Sequence, residues 1–389
     1  MSGRRIETAL PIPMDRGFPP AMLAEVCRAV NSSGAVDFLH VADQLQSWWP
    51  PGLWQPHNVA MAAMMPDPDS NADPAAIAGY AAAAAPGVGL TLSTDAIRRG
   101  PAEMMQTMLT LAAMGDGRAA LQLGAGEIKN CAPYGYVRGE GLRRYEDHLR
   151  YYDAYWKSAD GAVTLDGHFW KYKNATIGAT RPCRPRIWAL GGGPRLIDRA
   201  FTYADGFATM VPNVIETPEA FRAFVKQARL ELERRGRDPG KFDFVPWIFA
   251  LIHEDPDVIR RAFDNPVVKW MVAIFGRFNN HDWAAHGMQP AFAPEYHYAM
   301  HLLPNWITDP SEVNDVLARV THRHCELCFY HGSPQKVAAQ IQPIIEAGAN
   351  VIDLIDIMGL ALSLEDAQRQ FGRQLEVCAR IKSRNSAAA

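Results

Sequence analysis

Hydrophobic and polar positions follow two different periods along this chain and divide it into strands and helices. Short apolar or β-branched runs recur through most of the sequence, and longer stretches with helical spacing separate them. The predicted strands are 6–12, 37–42, 88–93, 119–124, 187–191, 206–210, 242–251 and 351–358. Eight strands that alternate with helices predict an α/β fold, a parallel sheet closed into a (β/α)8 TIM barrel.

The helical pattern is clear at 101–111 and at 218–230, where apolar residues recur every three to four positions. A third helix is marked by its end signals. Ser333 is placed as N-cap, Pro334 as first helical residue, and Gly348 ends the helix before the last strand.

Residues 256–330 form a long connection between the seventh strand and that last predicted helix, and they are rich in Trp, His, Phe, Met and Pro. Long connections in compact domains are usually functional, so we expect an insertion that covers the active-site face of the barrel. Packing between subunits is the alternative. We predict one domain over 1–382 and a flexible tail over 383–389, although the length of 389 residues also allows two domains.

Composition narrows the class of protein. Hydrophobic residues make up 48% and charged residues 21%, which is typical of a globular protein with a large core. The 39 basic and 42 acidic residues give a formal net charge of −3, which favours a small-molecule partner over nucleic acid. Six scattered cysteines, no apolar leader segment and no long apolar stretch predict a cytoplasmic protein without a transmembrane segment.

Unusual residues follow the predicted strand ends, where a barrel collects its chemistry. The fourth strand ends in Gly124-Ala-Gly126-Glu127, with Asn130 close behind. Glycine lets a flat ring or a phosphate approach the main chain, and Glu127 offers a proton or a hydrogen bond. The alternative is an ordinary turn in which Glu127 favours the start of a helix.

The fifth strand ends in Gly191-Gly192-Gly193-Pro194. Successive free amides at a helix N-terminus bind anions, so this run is the candidate phosphate site. A flexible turn without a ligand is the alternative.

Together these segments resemble the bacterial-luciferase-like superfamily, and in particular its branch that uses the deazaflavin coenzyme F420. The resemblance runs in collinear order along nearly the whole chain. It is carried by Val41-Ala-Asp43, Gly124-Ala-Gly-Glu127 with Asn130, Asp166-Gly-His-Phe-Trp170, Gly191-Gly-Gly-Pro194, Ala204-Asp-Gly206 and Gly332-Ser-Pro334.

The resemblance implies that F420 binds at the carboxyl face of the barrel. It places Gly124, Gly126 and Asn130 along the cofactor, Gly192 and Gly193 on its phosphate, and a bulge with a non-proline cis peptide at Thr91-Leu92 under its ring. Such a cofactor moves hydride and reacts poorly with oxygen. The implied activity is therefore hydride transfer between F420 and a ketone or alcohol, and the implied assembly is a homodimer.

Hydride transfer to a carbonyl leaves an alkoxide that needs a proton, so Glu127, Asp43 and Gln44 are the candidate catalytic residues. Dehydrogenases of this family carry histidine directly after the aspartate, whereas this chain has Gln44, which cannot titrate. The alternative candidates for the general base are Asp43, Glu127 and a histidine of the insertion. Those histidines are His281, His286, His297 and His301.

The substrate pocket is expected to be apolar. Trp48 and Trp49 follow the second strand, and Met210 begins a Met-Val-Pro-Asn segment where sugar-phosphate relatives hold phosphate. These residues favour a hydrophobic ketone or secondary alcohol, although the tryptophans are also consistent with core packing.

No metal site is predicted. Cys325 and Cys328 with nearby histidines lack a second Cys-x-x-Cys, and 322–331 is interpreted as a short strand. Two alternatives to the F420 enzyme remain open, an FMN-dependent monooxygenase of the same fold and a non-catalytic F420-binding protein.

Overall fold

The computed structural model describes residues 5–181 and 183–386 and contains a closed parallel barrel. Its strands are β1 (Glu7–Pro11), β2 (Phe38–Ala42), β3 (Gly89–Asp95), β4 (Ala119–Gly124), β5 (Ala162–Asp166), β6 (Lys171–Thr176), β7 (Arg186–Leu190), β8 (Gly206–Val211), β9 (Asp243–Ile252), β10 (Tyr330–Gly332) and β11 (Val351–Asp356). The ring runs β1, β2, β3, β4, β7, β8, β9, β11 and back to β1. The predicted (β/α)8 barrel is confirmed.

Helices flank the barrel and build the insertion. They are α1 (Pro20–Ser33), α2 (Pro74–Ala84), α3 (Pro101–Met114), α4 (Gly141–Lys157), α5 (Pro194–Tyr203), α6 (Pro218–Arg234), α7 (Pro256–Asp264), α8 (Pro266–Phe275), α9 (Tyr298–His301), α10 (Pro310–Arg319), α11 (His322–Cys328), α12 (Pro334–Glu346) and α13 (Leu364–Ser386). Most begin with proline, whose fixed φ suits the first turn.

Side-chain caps explain where several helices start. Thr217 caps α6, Asn265 caps α8, and Ser333 caps α12 by accepting from Lys336 N at 3.3 Å. Such caps satisfy main-chain amides that have no partner inside the helix. The predicted start of α12 at Pro334, after the Ser333 cap, is confirmed.

Two large apolar cores support the fold. One fills the layer between the barrel and its surrounding helices, with contributions from Leu39, Leu92 and Leu121. The other lies between the insertion and the carboxyl ends of β8 and β9, where Met210 and Phe249 pack against α8. The insertion therefore has its own buried apolar side chains and rests on the barrel mouth.

Within the insertion, 256–330 contains α7 to α11 and short 3-10 turns. Its residues reach the strand ends directly, since the Phe275 ring lies 5.8 Å from the Trp48 ring and the Trp270 indole donates to Trp48 O. That this segment and the barrel form one domain over 1–382 stays a prediction.

One sequence-based interpretation of local structure is wrong, and two further features were not anticipated. Residues 322–328 form helix α11, because Thr321 and His324 make a reciprocal capping box; only 330–332 form a strand. The helix α13 continues to Ser386, beyond the expected start of the tail at 383, and 387–389 lie outside the described residues. A β5–β6 hairpin, which the sequence pattern did not reveal, precedes β7.

Among the residues that the structure describes, no helix is long and apolar enough to cross a membrane.

A buried carboxylate on α4 binds the turn of this hairpin. Asp147 on α4 is 0% exposed, and its two oxygens accept from His168 N at 2.9 Å and Phe169 N at 2.8 Å. A Cβ added to Gly167 would lie 2.7 Å from Asp147 Cγ, so the turn needs glycine at that position.

We expect Asp147→Ala to lower the free energy of unfolding by about 3 kcal/mol, because it leaves buried amides without a charged acceptor. Urea denaturation measures the loss. The control is Asp153→Ala on the same helix, which removes an exposed pair with Lys157 and should cost about 0.5 kcal/mol or less. Equal losses in the two variants would contradict this role for Asp147.

Candidate functional site

The turn after β4 is packed closely between neighbouring elements at the carboxyl edge of the barrel. Gly126 has φ of +93°, and a Cβ there would lie 2.8 Å from Ile97 Cδ1. On the other side, a Cβ on Gly141 at the start of α4 would lie 1.8 Å from Ala125 O. Glycine at both positions lets the turn 124–127 fit, and the tight packing fixes its direction.

Glu127 follows this turn and is half-buried. Its Oε2 atom is buried and has no hydrogen-bond partner among the described residues, although Lys129 Nζ lies 3.4 Å away. Burial, and to a smaller degree the Glu127 carboxylate, raise the pKa of the Tyr298 phenol on α9. The predicted catalytic carboxylate is therefore half-buried at the carboxyl edge of the barrel and pairs with Lys129.

Lys129 is a buried ammonium that sequence reasoning did not select. It is 1% exposed, and Nζ donates to Gln44 Oε1 and to Gln46 O, each at 2.5 Å. The Trp48 ring centroid lies 4.5 Å from the same atom. Burial lowers the pKa of Lys129, and the Glu127 carboxylate opposes that shift. The sequence feature that indicates Lys129 is its position inside the Glu127-Ile-Lys-Asn130 motif.

Asn130 links the loops after β2 and β4. It is 3% exposed, its Oδ1 accepts from Leu45 N at 3.1 Å and Gln46 N at 3.3 Å, and its Nδ2 donates to Gln44 Oε1 at 2.8 Å. These contacts hold Gln44 in place, and the contact of Asn130 with the cofactor stays a prediction.

Asp43 is engaged on both carboxylate oxygens. It is 4% exposed, Oδ1 accepts from Arg98 Nη1 at 3.0 Å, and Oδ2 accepts from Thr94 Oγ1 at 2.6 Å. Arg98 also donates to the Asp43 carbonyl and pairs with Asp95. These contacts favour a structural role for Asp43, which joins the ends of β2 and β3, over the predicted role in proton transfer.

The cis peptide expected at Thr91-Leu92 is wrong. Among the described residues the cis bond joins Val211 and Pro212, and β3 pairs without a bulge with both neighbouring strands. Leu92 packs in the core outside the barrel, and Thr91 Oγ1 accepts from Gln122 Nε2 at 3.1 Å. Both side chains are nearly fully buried.

A buried polar layer lies inside the barrel below the mouth. His40 contacts Asp353 Oδ2 at 3.0 Å through Nδ1 and Ser93 Oγ at 2.8 Å through Nε2. Gln122 donates to Asp353 Oδ2 at 3.0 Å and accepts from the half-buried Trp247 indole at 2.6 Å. This layer was not predicted, because polar residues within an apolar strand give no local signal.

The glycine run after β7 provides an open helix N-terminus. Gly193 is the N-cap of α5, and a Cβ placed on it would meet nothing within 4 Å. A Cβ on Gly192 would instead lie 2.8 Å from Val214 and 3.1 Å from Phe278. Packing therefore requires glycine at 192, and the side of Gly193 is left open to a ligand.

Aromatic side chains form one wall of the mouth. The Phe275 ring lies 5.8 Å from Trp48 and 4.6 Å from Tyr298. Trp49 packs at 5.1 Å against the buried Trp54. The predicted pocket residues Trp48 and Trp49 are thus half-buried and have core contacts on one side, while Met210 is almost fully buried beneath the insertion.

The insertion histidines occupy four different environments. His281 lies near Asp282, His286 contacts Glu216 at 3.0 Å, and His301 is exposed. His297 packs at 4.8 Å against Phe278, and burial, followed by the Arg138 charge, lowers its pKa to about 4. No contact in the described structure joins any of them to Gln44.

The Cys-x-x-Cys segment is packed as ordinary helix. Cys325 Sγ donates weakly to Phe263 O, and Cys328 Sγ lies 3.5 Å from Gly276 O. Over 5–181 and 183–386 no group of three or more His, Cys, Asp and Glu side chains is placed to hold a metal ion.

These residues fit a flat, phosphate-bearing cofactor. Gly193 at the N-terminus of α5 is open to a phosphate. The buried Trp48 Nε1 and Glu127 Oε2 atoms have no hydrogen-bond partner in the described chain, as expected where a ligand supplies one. Gln44, which is half-buried and precedes Trp48 on the loop after β2, adds an amide group.

We expect Gly141→Ala to lower the free energy of unfolding by about 1–3 kcal/mol, because the new methyl group collides with Ala125 O. Urea denaturation measures this effect. Gly139→Ala is the matched control, since a Cβ there meets nothing within 4 Å and the stability should be unchanged or slightly higher. A neutral Gly141→Ala variant would show that the turn 124–127 moves freely.

Comparison with known proteins identifies the family. A family model described as luciferase-like monooxygenase matches residues 56–350. Phthiodiolone/phenolphthiodiolone dimycocerosates ketoreductase of Mycobacterium kansasii is 27% identical over 333 residues, covering 83% of this chain and 88% of that protein. F420-dependent glucose-6-phosphate dehydrogenase of Kineococcus radiotolerans is 27% identical over 173 residues, or 43% of this chain and 50% of that protein.

The fold of this chain is also similar to the folds of solved structures. An F420-dependent secondary alcohol dehydrogenase in complex with an F420-acetone adduct superposes with a TM-score of 0.68 at 18% identity, covering 97% of this chain and 99% of that one. The resemblance predicted from the strand-end motifs is thereby confirmed. The chain belongs to the luciferase-like monooxygenase family.

Proposed function

We propose that this protein is an F420-dependent oxidoreductase that transfers hydride between the deazaflavin and a hydrophobic ketone or secondary alcohol. The observation that carries the proposal is the pairing of an open α5 N-terminus at Gly193 with a polar group around Glu127 and Gln44 at the same edge of the barrel. The names of the ketoreductase and dehydrogenase relatives support it.

Different parts of the barrel mouth bind the cofactor and the substrate in this proposal. The main-chain amides after Gly193 bind the phosphate of the cofactor, and Trp48 flanks its ring. When bound, F420 supplies or accepts a hydride, and it does not carry out oxygenation. Trp48, Phe275 and Tyr298 provide apolar surface for the substrate.

Glu127 is the group proposed to hold the proton. Its Oε2 atom has no hydrogen-bond partner in the described chain and lies 3.4 Å from Lys129 Nζ. The contacts of Arg98 and Thr94 with both Asp43 oxygens favour Glu127 over Asp43 for this role.

An FMN-dependent monooxygenase is the second candidate, because the family model that matches the chain is described by that reaction class. The predicted homodimer and cytoplasmic location stay proposals that accompany either function.

We expect the purified protein to bind F420 at least about tenfold more tightly than FMN, equivalent to about 1.4 kcal/mol. Fluorescence titration of each cofactor measures this ratio. Reduced F420 should then be oxidised by a series of ketones, with rates that rise with alkyl chain length. Tighter FMN binding with oxygen uptake would favour the monooxygenase, and F420 binding without turnover would favour a non-catalytic binding protein.

We expect Glu127→Gln to lower kcat by about 10²-fold and to leave F420 affinity within about threefold, because the substitution removes a proton carrier and keeps its shape. Stopped-flow and binding measurements separate the two effects. Glu146→Gln is the matched control, since that glutamate pairs with Arg199 on the outer helices. Unchanged kcat in Glu127→Gln would remove Glu127 from the reaction.

A further inference from the structure

The buried ammonium of Lys129 has two hydrogen-bond acceptors and one ion-pair partner. Gln44 Oε1 and Gln46 O each lie at 2.5 Å, and Glu127 Oε2 lies at 3.4 Å. In its ammonium form, a lysine nitrogen donates and cannot accept. Any atom that lies at hydrogen-bond distance from Nζ in this site must therefore be an acceptor.

The neighbouring Asn130 amide has a determined orientation for the same reason. Its Oδ1 faces two main-chain amides, Leu45 N and Gln46 N, which can only donate. Its Nδ2 therefore points to Gln44 and donates at 2.8 Å. Two independent donors, one charged and one neutral, thus converge on one side of Gln44.

These two donors fix which end of the Gln44 amide faces them. Amide oxygen and nitrogen are normally assigned from their hydrogen-bond partners. Here the partners are Lys129 and Asn130, so the side facing them is Oε1 and the opposite side is the NH2 group. No described residue accepts a hydrogen bond from Gln44 Nε2, and the side chain is half-buried.

We propose that Lys129 is a positioning residue which, with Asn130, holds Gln44 so that its amide NH2 donates a hydrogen bond to the substrate oxygen. This inference rests on the proposed function. It explains how a glutamine can occupy the place of a titratable histidine, since Gln44 acts as a hydrogen-bond donor and leaves proton transfer to another group.

The proposed reaction balances in protons and electrons. In ketone reduction the carbonyl carbon receives a hydride from reduced F420, the C=O π pair moves onto oxygen, and that oxygen takes one proton from Glu127. Gln44 keeps both of its protons and stabilises the negative charge that develops on oxygen. Alcohol oxidation follows the same steps in reverse.

Lys129 polarises Gln44 from behind. An ammonium 2.5 Å from Oε1 draws electron density from the amide and makes its N–H bonds stronger donors. Because Lys129 is 1% exposed, water does not screen this effect. The alternative is that Lys129 only joins the two loops and has no effect through Gln44.

The experiment compares Lys129→Met, Gln44→Leu, the double variant and Gln44→Glu. Lys173→Met, an exposed lysine on β6, controls for the loss of one positive charge. We expect Gln44→Leu to lower kcat by about 10²-fold and Lys129→Met by about tenfold, with KM changed less. In the double variant kcat should equal that of Gln44→Leu, since Lys129 acts through Gln44. A full additional tenfold loss would overturn the proposal.

Gln44→Glu tests the donor itself and covers the case in which Lys129→Met does not fold. The carboxylate keeps an acceptor for Lys129 and Asn130 but has no N–H. We expect the variant to fold, to bind F420 within about threefold of wild type, and to lose about 10²-fold in kcat. Activity within about threefold of wild type would overturn the donor role.

A readout without cofactor separates this inference from the proposed function. In protein labelled with 15N-glutamine, the side-chain NH2 signals are assigned to Gln44 by their loss in Gln44→Leu. They should shift in Lys129→Met and stay unchanged in Lys173→Met. Unshifted signals in Lys129→Met would overturn the positioning, whereas shifted signals in a protein that fails to bind F420 would reject only the proposed reaction.

Discussion

A buried ammonium constrains the arrangement of the barrel mouth. Removing a charged group from water costs many kcal/mol unless acceptors surround it. Lys129, on the loop after β4, offsets this cost by donating hydrogen bonds to Gln44 Oε1 and Gln46 O on the loop after β2. The two loops therefore cannot separate without exposing or unpairing the charge, and the positions of Gln44 and Glu127 follow from that requirement.

A second charged contact extends this constraint to the next strand. Arg98, which is 7% exposed on its side chain, pairs with Asp43 at the end of β2 and with Asp95 at the end of β3. Three neighbouring strand ends are thus joined by ionic and hydrogen-bonded contacts. The insertion then packs its apolar residues against this polar edge, with Phe275 on Trp48 and Phe278 over Gly192.

Much of the fold could be predicted because its signals are local. The barrel strands alternate with helices whose starts are set by proline and by capping residues such as Ser333. Residues 322–328 were misread because a helix of seven residues shows too little periodicity, and its start depends on the reciprocal contact of Thr321 with His324. The polar layer around His40 and Asp353 joins residues far apart in sequence, which no local pattern reveals.

The site itself was predicted unevenly for a similar reason. The turn 124–127 and Gly193 carry glycine signals that depend on backbone geometry, and the structure gives each a physical cause. Roles of polar side chains depend on partners. The sequence indicates a catalytic role for Asp43 and a cofactor contact for Asn130, but it gives no sign of their hydrogen bonds with Arg98 and Gln44.

The presence of Gln44 where related dehydrogenases carry histidine has a direct electrostatic consequence in the proposed reaction. A neutral histidine can accept a proton, and it then carries a positive charge next to the substrate oxygen. Gln44 stays neutral at every stage, and the ammonium form of Lys129 places a positive charge behind it. Stabilisation of negative charge on oxygen is then independent of the proton transfer, which falls to Glu127. Because hydride transfer in either direction passes through the same transition state, the arrangement accelerates both directions, and the ratio of reduced to oxidised cofactor decides which one predominates.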